Sequence, residues 1–120
     1  MRVAGFGFRH AATVASLKDA LARAGGSADR VATMADKTTA PVFRAFAAEM
    51  GLPAEGVAGA RLAAESTMTQ SARVRERFGT GSVAEASALA AAGPGARLLG
   101  PRVISGDGLA TAAIAERTDE

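Results

Sequence analysis

The chain has 120 residues, 48% of them hydrophobic, and this length is enough for one domain with a single buried core. It contains one histidine and no cysteine, tyrosine or tryptophan, which excludes disulfides and thiolate metal sites and leaves only phenylalanine for base stacking. The net charge of +2, the scattered arginines and the lack of a long apolar run predict a cytoplasmic protein that binds neither nucleic acid nor membrane and carries no metal or cofactor.

The opening residues predict a ligand-binding turn at the end of a strand. An apolar strand leads into Gly5-Phe6-Gly7-Phe8-Arg9-His10, and a helical pattern begins soon afterwards. Ligands of α/β proteins bind at the carboxyl ends of strands. Arg9 is suited to a carboxylate because a guanidinium pairs with it through two hydrogen bonds. The alternative is a solvated turn in which His10 is a surface histidine.

Strands and helices alternate along the first half of the chain. The first helix is capped by Thr13 and ends at Gly25-Gly26, and residues 30–35 form a second strand. Thr39 caps a second helix, with Pro41 in its first turn. The apolar face of this helix predicts four buried residues: Phe43, Phe46, Ala47 and Met50.

The middle of the chain is predicted to consist of short elements. In order, these are a weak third strand at residues 56–59, a helical turn at 61–65, a hydroxyl-rich loop at 66–71 and a short helix at 72–78. Ser82 and Glu85 then have the S-x-x-E spacing of a capping box, which opens an alanine-rich helix ending at Gly93. This spacing explains Glu85 as a capping residue without any chemistry.

The last part of the chain predicts two strands, at residues 97–104 and 109–116, joined by a hairpin turn at residues 105–108. Pro101 predicts an edge strand or a bulge, and residues 118–120 form a charged, frayed tail. The elements together predict a three-layer α/β/α fold with a mixed, mostly parallel sheet of about five strands and a C-terminal β-hairpin.

A nucleotide site is one interpretation of the first turn. Gly5 and Gly7 match part of a dinucleotide fingerprint, but His10 stands where the third glycine is required. Asp36, after the second strand, would suit a ribose hydroxyl. A second match, at residues 79–84, follows a helix rather than a strand, and its glycines are explained by a helix end and a turn. A small nucleotide-binding domain therefore stays an alternative.

Polar side chains at the same end of the sheet favour a small acidic ligand. Lys37 follows the second strand and lies beside Arg9 if the two strands are parallel neighbours. Ser82 begins a helix, whose free N–H groups attract anions. Three residues offer hydroxyl groups for hydrogen bonds: Thr33, Thr69 and Ser71. No acidic pair, nucleophile–base arrangement or metal cluster can be drawn from these residues.

Two parts of the sequence match one family pattern. The first is the strand, the Gly-x-Gly-x-Arg turn, the helix, and the second strand with Lys37 near its end. The second comprises Thr69-Gln70-Ser71, Val74, Phe78-Gly79, Ser82-Val83-Ala84-Glu85-Ala86, Ala88-Leu89, Gly93, Leu98-Leu99, Arg102, Thr111 and Ala112-Ala113-Ile114-Ala115. With these residues the chain resembles the CobE / CbiG C-terminal domain family of cobalamin biosynthesis over nearly its whole length. It departs from the family at Phe8, where a small residue or cysteine is usual, and at Arg102, where a lysine is common.

The resemblance implies a role in making the corrin ring of vitamin B12. The longer CbiG proteins open a ring-A lactone on a cobalt-precorrin and release a two-carbon fragment. This chain resembles only their C-terminal domain and is closer to stand-alone CobE. A corrinoid intermediate carries several acetate and propionate groups around a large apolar ring, and this chemistry suits a sheet end with Arg9, Lys37, Arg102 and helix N-termini.

Our leading hypothesis is a single domain, residues 1–120, that binds a precorrin or hydrogenobyrinic-type corrinoid intermediate. It acts as a carrier, or as an accessory factor that hands the intermediate to another enzyme of the pathway. The alternative is a hydrolase or lyase acting on the precorrin periphery, with His10 or Glu85 as acid–base candidates and no catalytic residue assigned. The predicted ligand-binding residues are Gly5, Gly7, Arg9, His10, Thr33, Lys37, Thr69, Ser71, Ser82 and Arg102.

Overall fold

The structure, a computed structural model, describes residues 1–118, so Asp119 and Glu120 of the frayed tail lie outside the described residues. The strands are β1 (Arg2–Phe8), β2 (Arg30–Met34), β3 (Ala54–Val57), β4 (Arg97–Leu98), β5 (Val103–Ile104) and β6 (Ala110–Glu116). The α-helices are α1 (Val14–Ala24), α2 (Pro41–Met50), α3 (Gly59–Ala64), α4 (Ala72–Phe78) and α5 (Val83–Ala92). A 3-10 turn, Ala35–Lys37, follows β2.

The strands form one sheet in the order β3-β2-β1-β6-β4, and β5 also pairs with β6. β1, β2 and β3 are parallel neighbours, whereas β6 runs antiparallel to β1. β4 and β5 are antiparallel to β6, so five of the six strands point the same way. The mixed, mostly parallel sheet is confirmed, with six strands where the sequence predicts about five. The end of the sheet at which β1, β2 and β3 finish is called the carboxyl end below.

Helices cover both faces of the sheet, which gives the three expected layers. α1 and α2 bury one face, where the Phe6 ring packs edge-on against Phe43 and Phe46 with ring centres 6.1 and 5.0 Å apart. α3 and α5 bury the other face through a second cluster that includes Val3 and Leu62. Because alternate residues of a strand point to opposite faces, the even-numbered residues of β1 meet α1 and α2, and the odd-numbered ones meet α5.

The contact between α5 and β1 is made backbone against backbone. Every residue of α5 except Ala91 is buried, as its alanine-rich sequence requires. A Cβ added to Gly5 would lie 2.5 Å from the backbone nitrogen of Ala88 and closer still to the carbonyl oxygen of Ala84. A side chain at this position would push the helix off the sheet, so Gly5 is required by helix–sheet packing.

The two ends of the described chain lie side by side because β1 and β6 are neighbours. The N-terminal ammonium of Met1 donates to the Arg117 carbonyl oxygen, and the Arg117 N–H donates to the Met1 carbonyl oxygen, both at 2.9 Å. The Arg2–Glu116 ion pair, also at 2.9 Å, reinforces the same point. Both ends therefore lie opposite the carboxyl end of the sheet.

Two details of α2 differ from the sequence prediction. The predicted Thr39 cap is wrong: Ala40 is the N-cap residue, and alanine has no side-chain acceptor that could cap the helix. The residue before a proline is disfavoured in the helical conformation, so Ala40, with a ψ of 130°, stays outside the helix, which begins at Pro41. Pro41 lies in the first turn as predicted. The predicted burial of Met50 is also wrong, since Met50 is 36% exposed in the last turn of the helix.

The first of the two predicted C-terminal strands is interrupted. β4 and β5 both pair with β6, and residues 100–102 between them leave the sheet. This break is the bulge in an edge strand that Pro101 predicts, and it is called the 100–102 bulge below. The hairpin turn at residues 105–108 is confirmed, with Ser105 N–H donating to the Ala110 carbonyl oxygen at 2.8 Å.

Candidate functional site

Two of the predicted basic residues lie at the carboxyl end of the sheet. Arg9 directly follows β1; its N–H donates to the Leu109 carbonyl oxygen at 2.9 Å, and its side chain, like that of His10, is exposed. Lys37 ends the 3-10 turn after β2. Its ammonium donates to the Phe8 carbonyl oxygen and lies 4.7 Å from the centre of the Phe8 ring. Because β1 and β2 are parallel neighbours, Arg9 and Lys37 follow adjacent strand ends.

The surroundings of Lys37 lower the pKa of its ammonium below the ordinary value of 10.5. Burial has the larger effect because it disfavours the charged form, and the positive charge of Arg77 on α4 adds to it. Arg77 is absent from the residues that the sequence singled out. The arginines that alternate along α4 are the signal that could have indicated it: Arg73, Arg75 and Arg77.

Replacing Arg77 by glutamine is expected to raise the pKa of Lys37, because it removes a neighbouring positive charge. The chain has two lysines, so ¹³C labelling of lysine side chains gives two signals that NMR can follow separately with pH. Lys18, which is bonded to Glu49, serves as the internal reference. If the Lys37 titration were the same in both proteins, Arg77 would have no electrostatic influence on it.

Three predicted ligand-binding residues are buried behind this surface. Gly5 lies under α5, as described above. The Thr33 hydroxyl donates to the Phe6 carbonyl oxygen at 2.9 Å, and the Ser82 hydroxyl caps α5 by accepting from Glu85 N–H at 3.2 Å. Thr33 and Ser82 have no exposed surface. Their polar groups therefore join β1 to β2 and begin α5, and they support the carboxyl end from within.

A row of three residues crosses the sheet beside the start of α5. Gly7 on β1 pairs with Thr111 on β6, and Thr111 pairs with Ile104 on β5, which is 53% exposed. A Cβ on Gly7 would lie 2.9 Å from the Thr111 hydroxyl and 3.8 Å from the Val83 Cβ, so Gly7 and Thr111 share the face covered by α5. Residues that pair across strands point to the same face. The three residues are called the shelf below.

The hydroxyl-rich loop at residues 66–71 packs against the segment that precedes α5. Ser71 caps α4, and its N–H donates to the Gly81 carbonyl oxygen at 3.0 Å. Thr69 donates to the carboxylate of Glu85 through both its N–H, at 2.9 Å, and its hydroxyl. The loop predicted from the sequence is confirmed, and these two residues are bonded to the protein around them.

Glu85 does not complete the predicted capping box. Ser82 accepts from Glu85 N–H as expected, but no bond returns from the Glu85 carboxylate to Ser82. The carboxylate instead accepts four hydrogen bonds, from Met68 N–H at 2.6 Å, Thr69 N–H at 2.9 Å, the Thr69 hydroxyl and Arg102 N–H at 2.8 Å. The interpretation of Glu85 as a capping residue is therefore wrong, because its partners reach it only through the tertiary fold.

The Glu85 carboxylate is fully buried and ionised at neutral pH. Burial alone raises the pKa, because the charged form loses its hydration. The hydrogen bonds from Thr69, Arg102 and Met68 act in the opposite direction and outweigh burial, so the pKa lies below its ordinary value of 4.5. N–H and O–H groups, rather than a basic side chain, stabilise this charge.

The ion pairs of the described residues do not include the basic residues at the carboxyl end of the sheet. Six pairs occur at the opposite end or along helices: Arg2–Glu116, Arg97–Glu116, Arg30–Glu55, Arg61–Glu55, Lys18–Glu49 and Arg23–Asp19. Among the cations of residues 1–118 that take part in none of these pairs are Arg9, Lys37, Arg77 and Arg102. Arg102 lies in the 100–102 bulge, two residues before Ile104 of the shelf. Arg9 and Arg102 therefore lie next to the shelf in the sequence, two residues after Gly7 and two residues before Ile104.

The rest of the described chain offers little else for a ligand. Among residues 1–118, no three His, Asp or Glu side chains are grouped so that they could hold a metal ion, and none of the helices there has the length and apolarity to cross a membrane. A cavity of about 290 Å³ lies at the far end of α5, between Arg61 and Pro94. It contains none of the predicted site residues, and Arg61 is already bonded to the Ala90 carbonyl oxygen at 2.6 Å.

These elements define a three-layer α/β protein whose carboxyl end carries Arg9 and Lys37, neither of which forms an ion pair with a described carboxylate. The chain belongs to the family described as the cobalamin synthesis G C-terminus, whose model matches residues 2–115. It is therefore a cobalamin biosynthesis protein of the CobE/CbiG type, and the resemblance seen in the sequence is confirmed.

Two solved structures are similar over almost the whole chain. The first is CobE, a protein from the cobalamin (vitamin B12) biosynthetic pathway, with 30% sequence identity and a TM-score of 0.82 over 96% of this chain and 92% of that one. The second is the cobalamin biosynthesis protein chiG from Agrobacterium tumefaciens, with 34% identity and a TM-score of 0.75 over 99% of this chain and 100% of that one. A comparison with curated proteins gives no match.

Proposed function

We propose that this cytoplasmic protein binds a precorrin or hydrogenobyrinic-type corrinoid and acts as a carrier or accessory factor that hands it to another enzyme of the pathway. One observation carries the proposal: Arg9 and Arg102, which form no ion pair among the described residues, adjoin a shelf at the carboxyl end of the sheet whose Ile104 is 53% exposed. This is also the end of an α/β sheet at which ligands bind.

The chemistry of a corrinoid acid matches both parts of this surface. Its acetate and propionate groups are carboxylates, which guanidinium and ammonium groups bind through charge-assisted hydrogen bonds. Arg9 and Arg102 are available for such bonds on the two sides of the shelf. The apolar face of the macrocycle would lie on Gly7, Thr111 and Ile104, and cover Ile104, which is otherwise 53% exposed.

The other two interpretations find less support. Glu85 is enclosed and its oxygens are occupied by four donors, so it is badly placed to exchange a proton with a substrate. His10 is exposed, and no other described side chain orients it. The nucleotide interpretation needs the backbone at Gly5 to approach a phosphate, but α5 occupies that space. Of the two acid–base candidates, only His10 is exposed, so a hydrolase or lyase would depend on His10.

Titration of the purified protein with hydrogenobyrinic acid, followed by visible absorption, tests the proposal. We expect the corrin bands to shift and to saturate at one equivalent of protein. A corrinoid whose side chains are all amides is the matched control, and we expect it to bind much more weakly, since it offers no carboxylate. Unchanged spectra with the acid would contradict the proposal. Turnover of a lactone-bearing precorrin that is lost in His10→Ala would favour the enzyme instead.

Replacing Arg9 by alanine is expected to weaken binding of hydrogenobyrinic acid about tenfold, because a carboxylate loses its cationic partner. Thermal stability should be nearly unchanged, since the Arg9 side chain is exposed and makes no described bond within the protein. Arg97→Ala is the control, because Arg97 is 73% exposed at the opposite end of the sheet. A large drop in the melting temperature of Arg9→Ala would show instead that Arg9 is structural.

A further inference from the structure

The Glu85 carboxylate joins two separate segments of the chain beside the shelf. Its Oε1 atom accepts from the N–H groups of Met68 and Thr69 in the 66–71 loop, and its Oε2 atom accepts from Thr69 and from Arg102 N–H in the 100–102 bulge. Among the described residues no hydrogen bond links the loop directly to the bulge. The two segments are therefore connected through this one side chain.

Helix capping does not require this arrangement. The Ser82 hydroxyl alone satisfies the first-turn N–H of Glu85, and a neutral residue could follow at that position. The chain instead buries a carboxylate completely, with no basic side chain paired to it. Burial of a charge is costly unless several donors surround it. Such a costly group is expected to serve a geometric purpose that an apolar core residue would not.

The geometry of the contacts identifies that purpose. Arg102 is held by its backbone N–H, which leaves its guanidinium without a described partner and directs the bulge toward the start of α5. The loop is held by two consecutive N–H groups, so its backbone cannot rotate as a unit without breaking both bonds. Glu85 itself lies in the first turn of α5, next to Ala84, whose backbone lies over Gly5 and Gly7 of β1.

We propose that Glu85 is a positioning residue for ligand binding, which holds the 66–71 loop and the 100–102 bulge at a fixed separation on either side of the start of α5. This inference rests on the proposed corrinoid-binding function. Glu85 itself does not contact the ligand. It acts through Arg102 and through the positions of the 66–71 loop and the 100–102 bulge beside the shelf. Residues that orient binding groups in this way commonly change affinity by about 10- to 100-fold when replaced, as at metal sites.

Glu85→Gln tests the inference with little change in side-chain volume. Glutamine keeps one acceptor oxygen, but its NH₂ group faces N–H donors, so part of the set of bonds is lost. Phe46→Leu, in the core on the other face of the sheet, is the control for a general loss of stability. The affinity for hydrogenobyrinic acid is measured for the wild type, Glu85→Gln and Phe46→Leu, at a temperature at which circular dichroism shows each of them folded.

We expect Glu85→Gln to bind hydrogenobyrinic acid at least about tenfold more weakly than the wild type, and Phe46→Leu to stay within about twofold. Amide hydrogen exchange should speed up selectively at Met68, Thr69 and Arg102 in Glu85→Gln. Equal affinity of Glu85→Gln and Phe46→Leu would overturn the positioning role while leaving the proposed function intact. Failure of the wild type to bind would overturn the proposed function, and the positioning role with it.

Discussion

Replacement of Gly5 by alanine is expected to destabilise the protein by about 3 kcal/mol. Adding a group to a closely packed site costs about this much unfolding free energy when the surrounding atoms are rigid. The new Cβ would lie 2.5 Å from the Ala88 nitrogen and closer to the Ala84 carbonyl oxygen, and both atoms belong to the backbone of α5. A helix backbone cannot move aside by a change of rotamer. Urea unfolding followed by circular dichroism measures the effect.

Gly59→Ala is the matched control for this prediction. Gly59 begins α3 with a negative φ, and nothing lies within 4 Å of an added Cβ. Because alanine has the higher helix propensity, we expect this change to alter stability by less than about 1 kcal/mol, on the stabilising side. Equal effects of the two substitutions would mean that α5 can lie farther from β1 without cost.

Replacement of Glu85 by glutamine is expected to cost about 2–4 kcal/mol of unfolding free energy at pH 7, since buried N–H groups lose a charged acceptor. The pKa of Glu85 is lowered in the folded state, so folding favours the ionised form. This contribution is complete above the ordinary pKa of 4.5 and is lost as the pH falls through the lower, folded value. The gap in stability between wild type and Glu85→Gln should therefore be constant near neutral pH and narrow in acid.

Glu76→Gln separates this effect from the general influence of removing a carboxylate. Glu76 lies on α4, its side chain is exposed, and its substitution is expected to change stability by less than about 0.5 kcal/mol. Unfolding curves of the three proteins between pH 3 and pH 7 give the comparison. A gap for Glu85→Gln that stayed constant down to the lowest pH would mean that the folded protein does not favour the ionised form of Glu85.

Local signals in the sequence determined most of the fold. Thr13 and Gly25 mark the ends of α1, and Pro101 marks the break in the edge strand, because each effect depends on the backbone of a few neighbouring residues. The order of strands and helices in the structure is also the order that the resemblance to the CobE/CbiG family implies. Thr39 has the residue type of a helix cap, but Pro41 keeps Ala40 out of the helical conformation, so the helix begins one residue later than Thr39 predicts.

The roles of Gly5 and Glu85 could not be read from the sequence. Gly5 belongs to a motif that is typical of a phosphate-binding turn, and Glu85 belongs to one that is typical of a capping box. In both cases a segment distant in the sequence determines what the residue does. Gly5 contacts α5, more than 75 positions away along the chain, and the partners of Glu85 lie 16 and 17 positions away. Spacing within a motif carries no information about which segments the tertiary fold brings together.

The adjacency of Met1 and Arg117 has a practical consequence for attachment of the protein to other molecules. A linker, an affinity tag or a surface joined to either end of the described chain would leave from the same small area, opposite the shelf. Tethering through Met1 or Arg117 would therefore leave the carboxyl end of the sheet, with Arg9 and the shelf, facing solvent.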